Sequence, residues 1–289
     1  GINVIDQFTI ATTGDATDFG DLSVSGRYQL ASCGSFTRGI WAGGYISSTQ
    51  DVIDYVHFAS AGNAADFGNL TAARNAPAGM SNNVRGIFAA GDNPKQNTID
   101  YIQMASTGNA VDFGDRTVAG AKNGAAASPT RGIMAGGHAP GNSNIIDYIT
   151  MATTGDATDF GDCTAVAPQT QMFSSSTRAV INRVGTGDPS TTVNYVTIAS
   201  QGNGIDYADL VAGLSTGTAA ATSNSVRGIV AGGDDNSGNI NVIQYVNIPT
   251  GGNFTDFGDL QAAKEDVAGC SHAHGGLNEG YQGTRIAPI

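Results

Sequence analysis

The sequence predicts an all-β fold, a six-bladed β-propeller with four antiparallel strands per blade. Three observations predict it. The Ile-Asp-Tyr box at Ile53, Asp54 and Tyr55 recurs at Ile99-Asp100-Tyr101 and Ile146-Asp147-Tyr148, and more weakly at Ile5-Asp6, Val193-Asn194 and Ile243-Gln244, with successive spacings of 48, 46, 47, 47 and 50 residues. Two further boxes keep that period: Asp-Phe-Gly, with Phe19, Phe67, Phe113, Phe160, Tyr207 and Phe257 in equivalent places, and Arg-Gly-Ile followed by paired glycines. Each unit also divides into four short strand-like runs, and no amphipathic run of 3.6-residue period supports a helical solenoid. Six repeats of about 47 residues fill 1–289 as a single domain.

One unit illustrates the strands in order. Residues 78–81 are small, which suits an inner strand beside a crowded axis. Asn82-Asn83 then supplies hairpin chemistry, because Asn bonds its own backbone and tolerates positive φ. Residues 87–90 form a short apolar second strand stopped at Gly91, where other copies carry Gly-Gly. After a polar segment, 92–97, the third strand over 98–105 places Ile99, Tyr101 and Gln103 on one face and Asp100, Ile102 and Met104 on the other. Ser106 to Asn109 turn the chain into an outer strand over 111–117.

These residues carry a resemblance. A short apolar strand ending in Gly43-Gly44, a polar loop, a strand with Tyr55, an aromatic at Phe67 and a basic residue at Arg74 resemble the kelch repeat, with Phe or Tyr in place of the usual outer-strand Trp. The Arg-Gly-Ile box, with segments such as Ser-Thr-Gly-Asn-Ala-Val-Asp-Phe-Gly-Asp at 106–115, is more closely similar to kelch-like repeats in structural proteins of marine, cyanophage-like bacteriophages. The resemblance implies a virion location and a non-enzymatic structural or attachment protein, a capsid decoration or tail-associated propeller whose partners are other virion proteins or a host-surface glycan or protein. A free-standing lectin-like binding module is the alternative, and a kelch-like oxidase or hydrolase a third.

Residues 1–10 match a third strand, so the sixth blade is expected to close from both ends: 267–271 as its inner strand and 286–289, after Arg285, as its second. The chain opens at Gly1 without an initiator Met, so it is expected to be processed or an excerpt.

Composition narrows the function classes. The net charge of −12 includes only three lysines, Lys95, Lys122 and Lys264, so there is no basic stripe to neutralise phosphates and nucleic-acid binding is not expected. No apolar run approaches a membrane span, so membrane insertion is not expected. Cys33, Cys163 and Cys270 are an odd number at unrelated spacings, and buried free thiols are expected.

The repeated arginines, Arg38, Arg85, Arg131, Arg178, Arg227 and Arg285, are read as scaffold residues that join blades, since planar guanidinium bridges carbonyls or carboxylates in fixed geometry. Six copies of Asp-Phe-Gly with no phosphate loop or catalytic loop exclude a kinase reading. Asp15, Asp18 and Asp21, or Asp156, Asp159 and Asp162, do not match an EF-hand loop and are expected to form turns and outer strands. An extended 270–274 segment would turn Cys270, His272 and His274 to one face, a donor set suited to zinc or copper, although a closure loop over 273–283 is the plainer expectation. No catalytic constellation and no cofactor site stand out. The variable loops after the paired glycines, 45–50, 92–97, 138–144, 186–192 and 234–241, are the recognition candidates, with Tyr45, Lys95, His138 and Asp235 as contact residues.

Overall fold

The structure, a computed structural model, describes residues 3–138, 140–184, 189–215 and 218–277. It is an all-β propeller of antiparallel blades. β1 (Val4–Gln7) and β2 (Thr17–Asp21) form a two-stranded sheet. Five four-stranded blades follow. The first holds β3 (Ala31–Gly34), β4 (Arg38–Ala42), β5 (Val52–His57) and β6 (Ala65–Asn69). The second holds β7 (Ala78–Ser81), β8 (Arg85–Gly91), β9 (Gln96–Gln103) and β10 (Val111–Gly120). The third is β11 (Gly124–Ala127), β12 (Arg131–Ala135), β13 (Ser143–Thr150) and β14 (Thr158–Ala167). The fourth is β15 (Gln169–Ser174), β16 (Arg178–Val184), β17 (Ser190–Thr197) and β18 (Ile205–Leu214), and the fifth β19 (Ala220–Ser223), β20 (Arg227–Ala231), β21 (Val242–Asn247) and β22 (Thr255–Asp259).

Within each blade the strands pair in chain order, so inner and outer edges are set by sequence alone. The inner strands carry Ala, Gly and Ser because they meet around the axis. There Ser81 donates to the Gly34 carbonyl at 2.7 Å, Ser174 to Ala127 at 2.8 Å and Ser223 to Ser174 at 2.7 Å. Satisfying carbonyls between blades matters, since an orphaned buried polar group costs about 1–3 kcal/mol.

The hydrophobic core is distributed between blades. Ile40 and Ile53 of the first blade pack with Phe88, Ile102 and Met104 of the second, and Ile87, Ile99 and Phe113 with Met134 and Ile149 of the third. A β-bulge aims the aromatic of each Asp-Phe-Gly box into this layer. Ile53 pairs with Gly68 but Asp54 with Asp66, which leaves Phe67 as the extra residue, 2% exposed. Burying such a ring contributes about 1.5–3 kcal/mol.

Arg-Gly-Ile has its glycine because a neighbour needs the space. A Cβ on Gly228 would stand 1.8 Å from the Phe173 ring, one on Gly132 2.6 Å from the Met80 sulfur and one on Gly39 2.9 Å from the Cys270 sulfur. In the fourth blade Ala179 replaces that glycine, and from the inner strand of the third blade its core cluster takes the small Ala126.

The outer rim closes through a repeated hydrogen bond. The Asn or Asp six residues before the end of each Asp-Phe-Gly-Asp segment accepts a backbone N–H from the preceding outer strand: Asp21 to Asn63, Asn69 to Asn109, Asp115 to Asp156, Asp162 to Asn203, Asp209 to Asn253 and Asp259 to Asp15. The last of these joins β22 to the β1–β2 sheet, as do the Gly14 to Phe257 and Ala16 to Asp259 backbone bonds. That acceptor role accounts for Asp15 and Asp156 of the two acidic trios.

The structure corrects the expected blade count: among the described residues five four-stranded blades form, not six. The sixth unit supplies β1 and β2, and the expected inner strand at 267–271 is not a strand. It runs beside β3 through irregular bonds, with Ser32 donating to Gly269 at 2.8 Å and Trp41 Nε1 to Ala268 at 3.3 Å. Its backbone takes side-chain donors in place of a ladder. The expected second strand at 286–289 and Arg285 lie outside the described residues.

Candidate binding face

Strand direction divides the propeller into two faces. Turns between first and second strands, and between third and fourth, lie at the bottom; the loops after the paired glycines and the crossings to the next blade lie at the top. Gly43 and Gly44 have φ of +68° and +105°, a conformation that sends the chain under the next crossing, where Gly44 N–H donates to the Arg74 carbonyl at 2.9 Å.

On the bottom face every described arginine of the Arg-Gly-Ile series reaches the next unit. Arg38 donates to the Met104 carbonyl at 3.1 Å, Arg85 to Met151 at 3.0 Å, Arg131 to Ile198 at 2.8 Å, Arg178 to Ile248 at 2.8 Å and Arg227 to Ile10 at 3.1 Å. Each guanidinium also lies over the tyrosine of its own blade: Tyr55, Tyr101, Tyr148, Tyr195 and Tyr245, at 4.5 to 5.1 Å from the ring centre. The tyrosines in turn meet the bulged aromatics edge-on, as in Tyr55 with Phe67 at 5.7 Å. Arg-Gly-Ile, Ile-Asp-Tyr and Asp-Phe-Gly are thus one stacked Arg–Tyr–Phe unit.

The aspartates of Ile-Asp-Tyr have a second, hidden partner that the sequence reading missed. Asp54, Asp100 and Asp147 are fully buried and pair with Arg27 and Arg74 on the crossings and with Arg116 in β10, the last two at 2.6 and 2.8 Å. Ser23, Thr71 and Thr117 add hydroxyl donors to the same carboxylates. Burial lowers each of these arginine pKa values, and the paired aspartate opposes the drop. Where the acid becomes Asn194 or Gln244, its described partners include Thr164 in β14 or the Ala212 backbone in β18, and none is an arginine. The signal was present in the sequence as that joint loss of acid and base.

With these uses assigned, the repeated charges are internal. The recognition candidates sit on the top face, on four different blades. Tyr45 bridges Tyr28 through backbone bonds, with ring centres 5.7 Å apart. Lys95 pairs with Asp92 at 3.7 Å, both about one-third exposed. His138 bridges Ala121 through its backbone, and the Asp235 carboxylate caps the Ser237 N–H at 2.9 Å. The structure puts them on one face but brings no two of them together. Part of the 186–192 loop lies outside the described residues.

The axis holds a cavity of about 580 Å³, counting its open mouth, which is lined at the top by the starts of the inner strands and by 267–269. Below, residues 274–277 cross the other end. His274 Nε2 meets the Gly34 carbonyl at 2.9 Å and Ser81 Oγ at 3.1 Å, while Nδ1 accepts the Gly276 N–H at 3.2 Å, so Nε2 carries the proton. Burial pushes its pKa down to about 4, partly opposed by the Gly34 carbonyl.

This geometry corrects the metal expectation for Cys270, His272 and His274. The segment is bent, so alternate side chains diverge. Cys270 points into the first blade against Gly39, His272 packs on Phe58 with ring centres 5.6 Å apart, and His274 turns to the axis. Among the described residues no three potential ligands cluster. All three thiols are free; burial raises Cys33, and pushes Cys163 and Cys270 up to about 12. No protein-family model and no curated protein matches the chain.

Proposed function

We propose that this chain is a non-enzymatic kelch-like scaffold of a bacteriophage virion, a structural or attachment protein that holds its particle and meets other virion proteins or the host surface through loops. In this reading the β1–β2 sheet and the 267–271 segment close the ring between the fifth and the first blade. One contrast supports a scaffold over an enzyme: the repeated arginines, the aspartates of the Ile-Asp-Tyr boxes and the Asn or Asp acceptors of the outer rim are spent between or beneath blades, whereas the polar side chains that differ among units collect in top-face loops. Rigid strands carrying diverse loops are a common route to recognition. The virion assignment draws on the resemblance of the 106–115 segment and its copies.

Mass spectrometry of purified virions from a phage encoding this chain should detect it at a fixed copy number. Its absence from particles overturns the virion assignment. Replacing 45–50 and 234–241 by Gly-Ser linkers should leave the fold intact and reduce particle incorporation or host adsorption; no change in either overturns the loop assignment.

A further inference from the structure

Around the open mouth of the axial cavity, two arcs differ in how their polar groups are satisfied. On one arc a hydrogen-bonded chain runs across blades: Gln29 donates to Asp266 at 3.0 Å, Asn75 to Gln29 at 2.5 Å and Asn93 to Asn75 at 3.1 Å. On the other, Asn123 and Gln171 line the cavity at 4% and 6% exposure, and among the described residues neither the amide nitrogen nor the amide oxygen of either has a partner. Gln169 Oε1, on the same strand as Gln171 but outside the cavity lining, is also without one among the described residues. Native interiors rarely leave such groups unpaired, so an orphaned cluster facing a cavity calls for an explanation.

The repeat shows that these amides are departures. Positions equivalent to Gln171 hold Ala31, Ala78, Gly124, Ala220 and Ala268, and those equivalent to Asn123 hold Leu30, Pro77, Thr170, Ala219 and Val267. Nothing in the blade architecture requires an amide at either place, since other blades form the same strands without it. Each side chain is therefore a local addition directed at the cavity.

We propose that the axial mouth is a binding site for a neutral polyhydroxylated ligand, a single sugar ring or small polyol, held by the side-chain amides of Asn123 and Gln171. An amide presents a donor and an acceptor side by side, which matches two adjacent hydroxyls, each able to donate and accept. An anion would leave the amide oxygens of Asn123 and Gln171 unpaired, and although Lys122 lines the mouth, the Asp266 carboxylate bonded to Gln29 and Thr218 stands against it. A cation would leave the two amide nitrogens unused. The site shares no residue with the top-face loops, so it stands or falls apart from the virion reading.

The test uses the full chain and a double variant, Gln171→Ala with Asn123→Leu, residues that other units already carry. Ligand-observed NMR and thermal-shift titration with D-glucose, D-galactose, D-mannose and glycerol should show at least one neutral probe binding and raising Tm, with sialic acid and inorganic phosphate inactive. The double variant should fold with an unchanged or higher Tm and bind that probe about tenfold more weakly or worse. The proposal is overturned if no neutral probe binds, if binding survives both substitutions, or if the variant has a lower Tm without sugar, which marks the amides as structural groups satisfied by buried water.

Discussion

Replacing Asp100 with alanine should destabilise this propeller more than almost any other single change on its polar residues. The carboxylate accepts from Arg74 at 2.6 Å and from the Thr71 hydroxyl and N–H at 2.6 and 3.0 Å, and both members of the ion pair are fully shielded from water. Its removal strands a buried guanidinium whose remaining contacts are Gln96 Oε1 at 3.1 Å and the Phe88 carbonyl at 3.4 Å, with Nε already unpartnered. Breaking a buried pair from one side costs about 3–5 kcal/mol. At roughly 2 °C per kcal/mol for a chain of this length, Tm should fall by about 6–10 °C in differential scanning calorimetry. The double variant Arg74→Met with Asp100→Asn, which imitates the uncharged arrangement around Asn194, should recover much of that loss, since burying neither charge avoids the desolvation cost. A drop of less than about 2 °C for Asp100→Ala, or a double variant as unstable as the sum of its single changes, would refute the account of the pair as a coupled buried unit.

Gly228→Ala should cost about 1–3 kcal/mol, because its Cβ would meet the Phe173 ring at 1.8 Å, and Phe173→Ala in the same chain should relieve that clash in urea unfolding curves. The three thiols should resist iodoacetamide in the native protein near neutral pH and react once it is unfolded, given that burial holds them as thiols and Cys163 and Cys270 titrate at about 12. His274 binds a proton more readily unfolded, near 6.5, than folded, near 4, so its contribution to stability is complete above about pH 6.5 and declines as pH falls toward 4. Tm measured across that window should lose part of its pH dependence in His274→Gln.

The period and the four-strand division were legible because inter-blade contacts repeat: whatever one joint needs, every joint needs. The inner strand expected at 78–81 coincides with β7, and the turn at Asn82 uses its side-chain oxygen to cap the N–H groups of Val84 and Arg85. The sixth unit was less legible. Pattern matching placed a strand at 267–271, but strand formation needs a partner ladder, and there the contacts are Ser32, Trp41 and Thr218. The Cys270, His272 and His274 set failed for the same reason, because alternation applies only to an extended chain. For the candidate site, sequence variability pointed to the top-face loops yet passed over Asn123 and Gln171. Their signal was a large amide where other units keep Ala, Gly or aliphatic residues, and it acquires meaning only once the inner strands are known to surround a cavity.

The packing of an inner-strand side chain against the neighbour's Arg-Gly-Ile glycine has a consequence for how the ring assembles. Cys33 meets Gly86, Met80 meets Gly132, Phe173 meets Gly228 and Cys270 meets Gly39, while Ala126 shares a cluster with Ala179, so the five joints come in four sizes and only the two Cys–Gly joints are alike. Blades with nearly the same backbone are therefore not interchangeable: set Phe173 against Ala179 and the ring overlaps a methyl group, set Ala126 against Gly228 and a void opens. Steric keys of this kind narrow the docking orders open to a chain of look-alike modules, and they penalise many of the swapped and skipped pairings to which tandem repeats are prone while they fold.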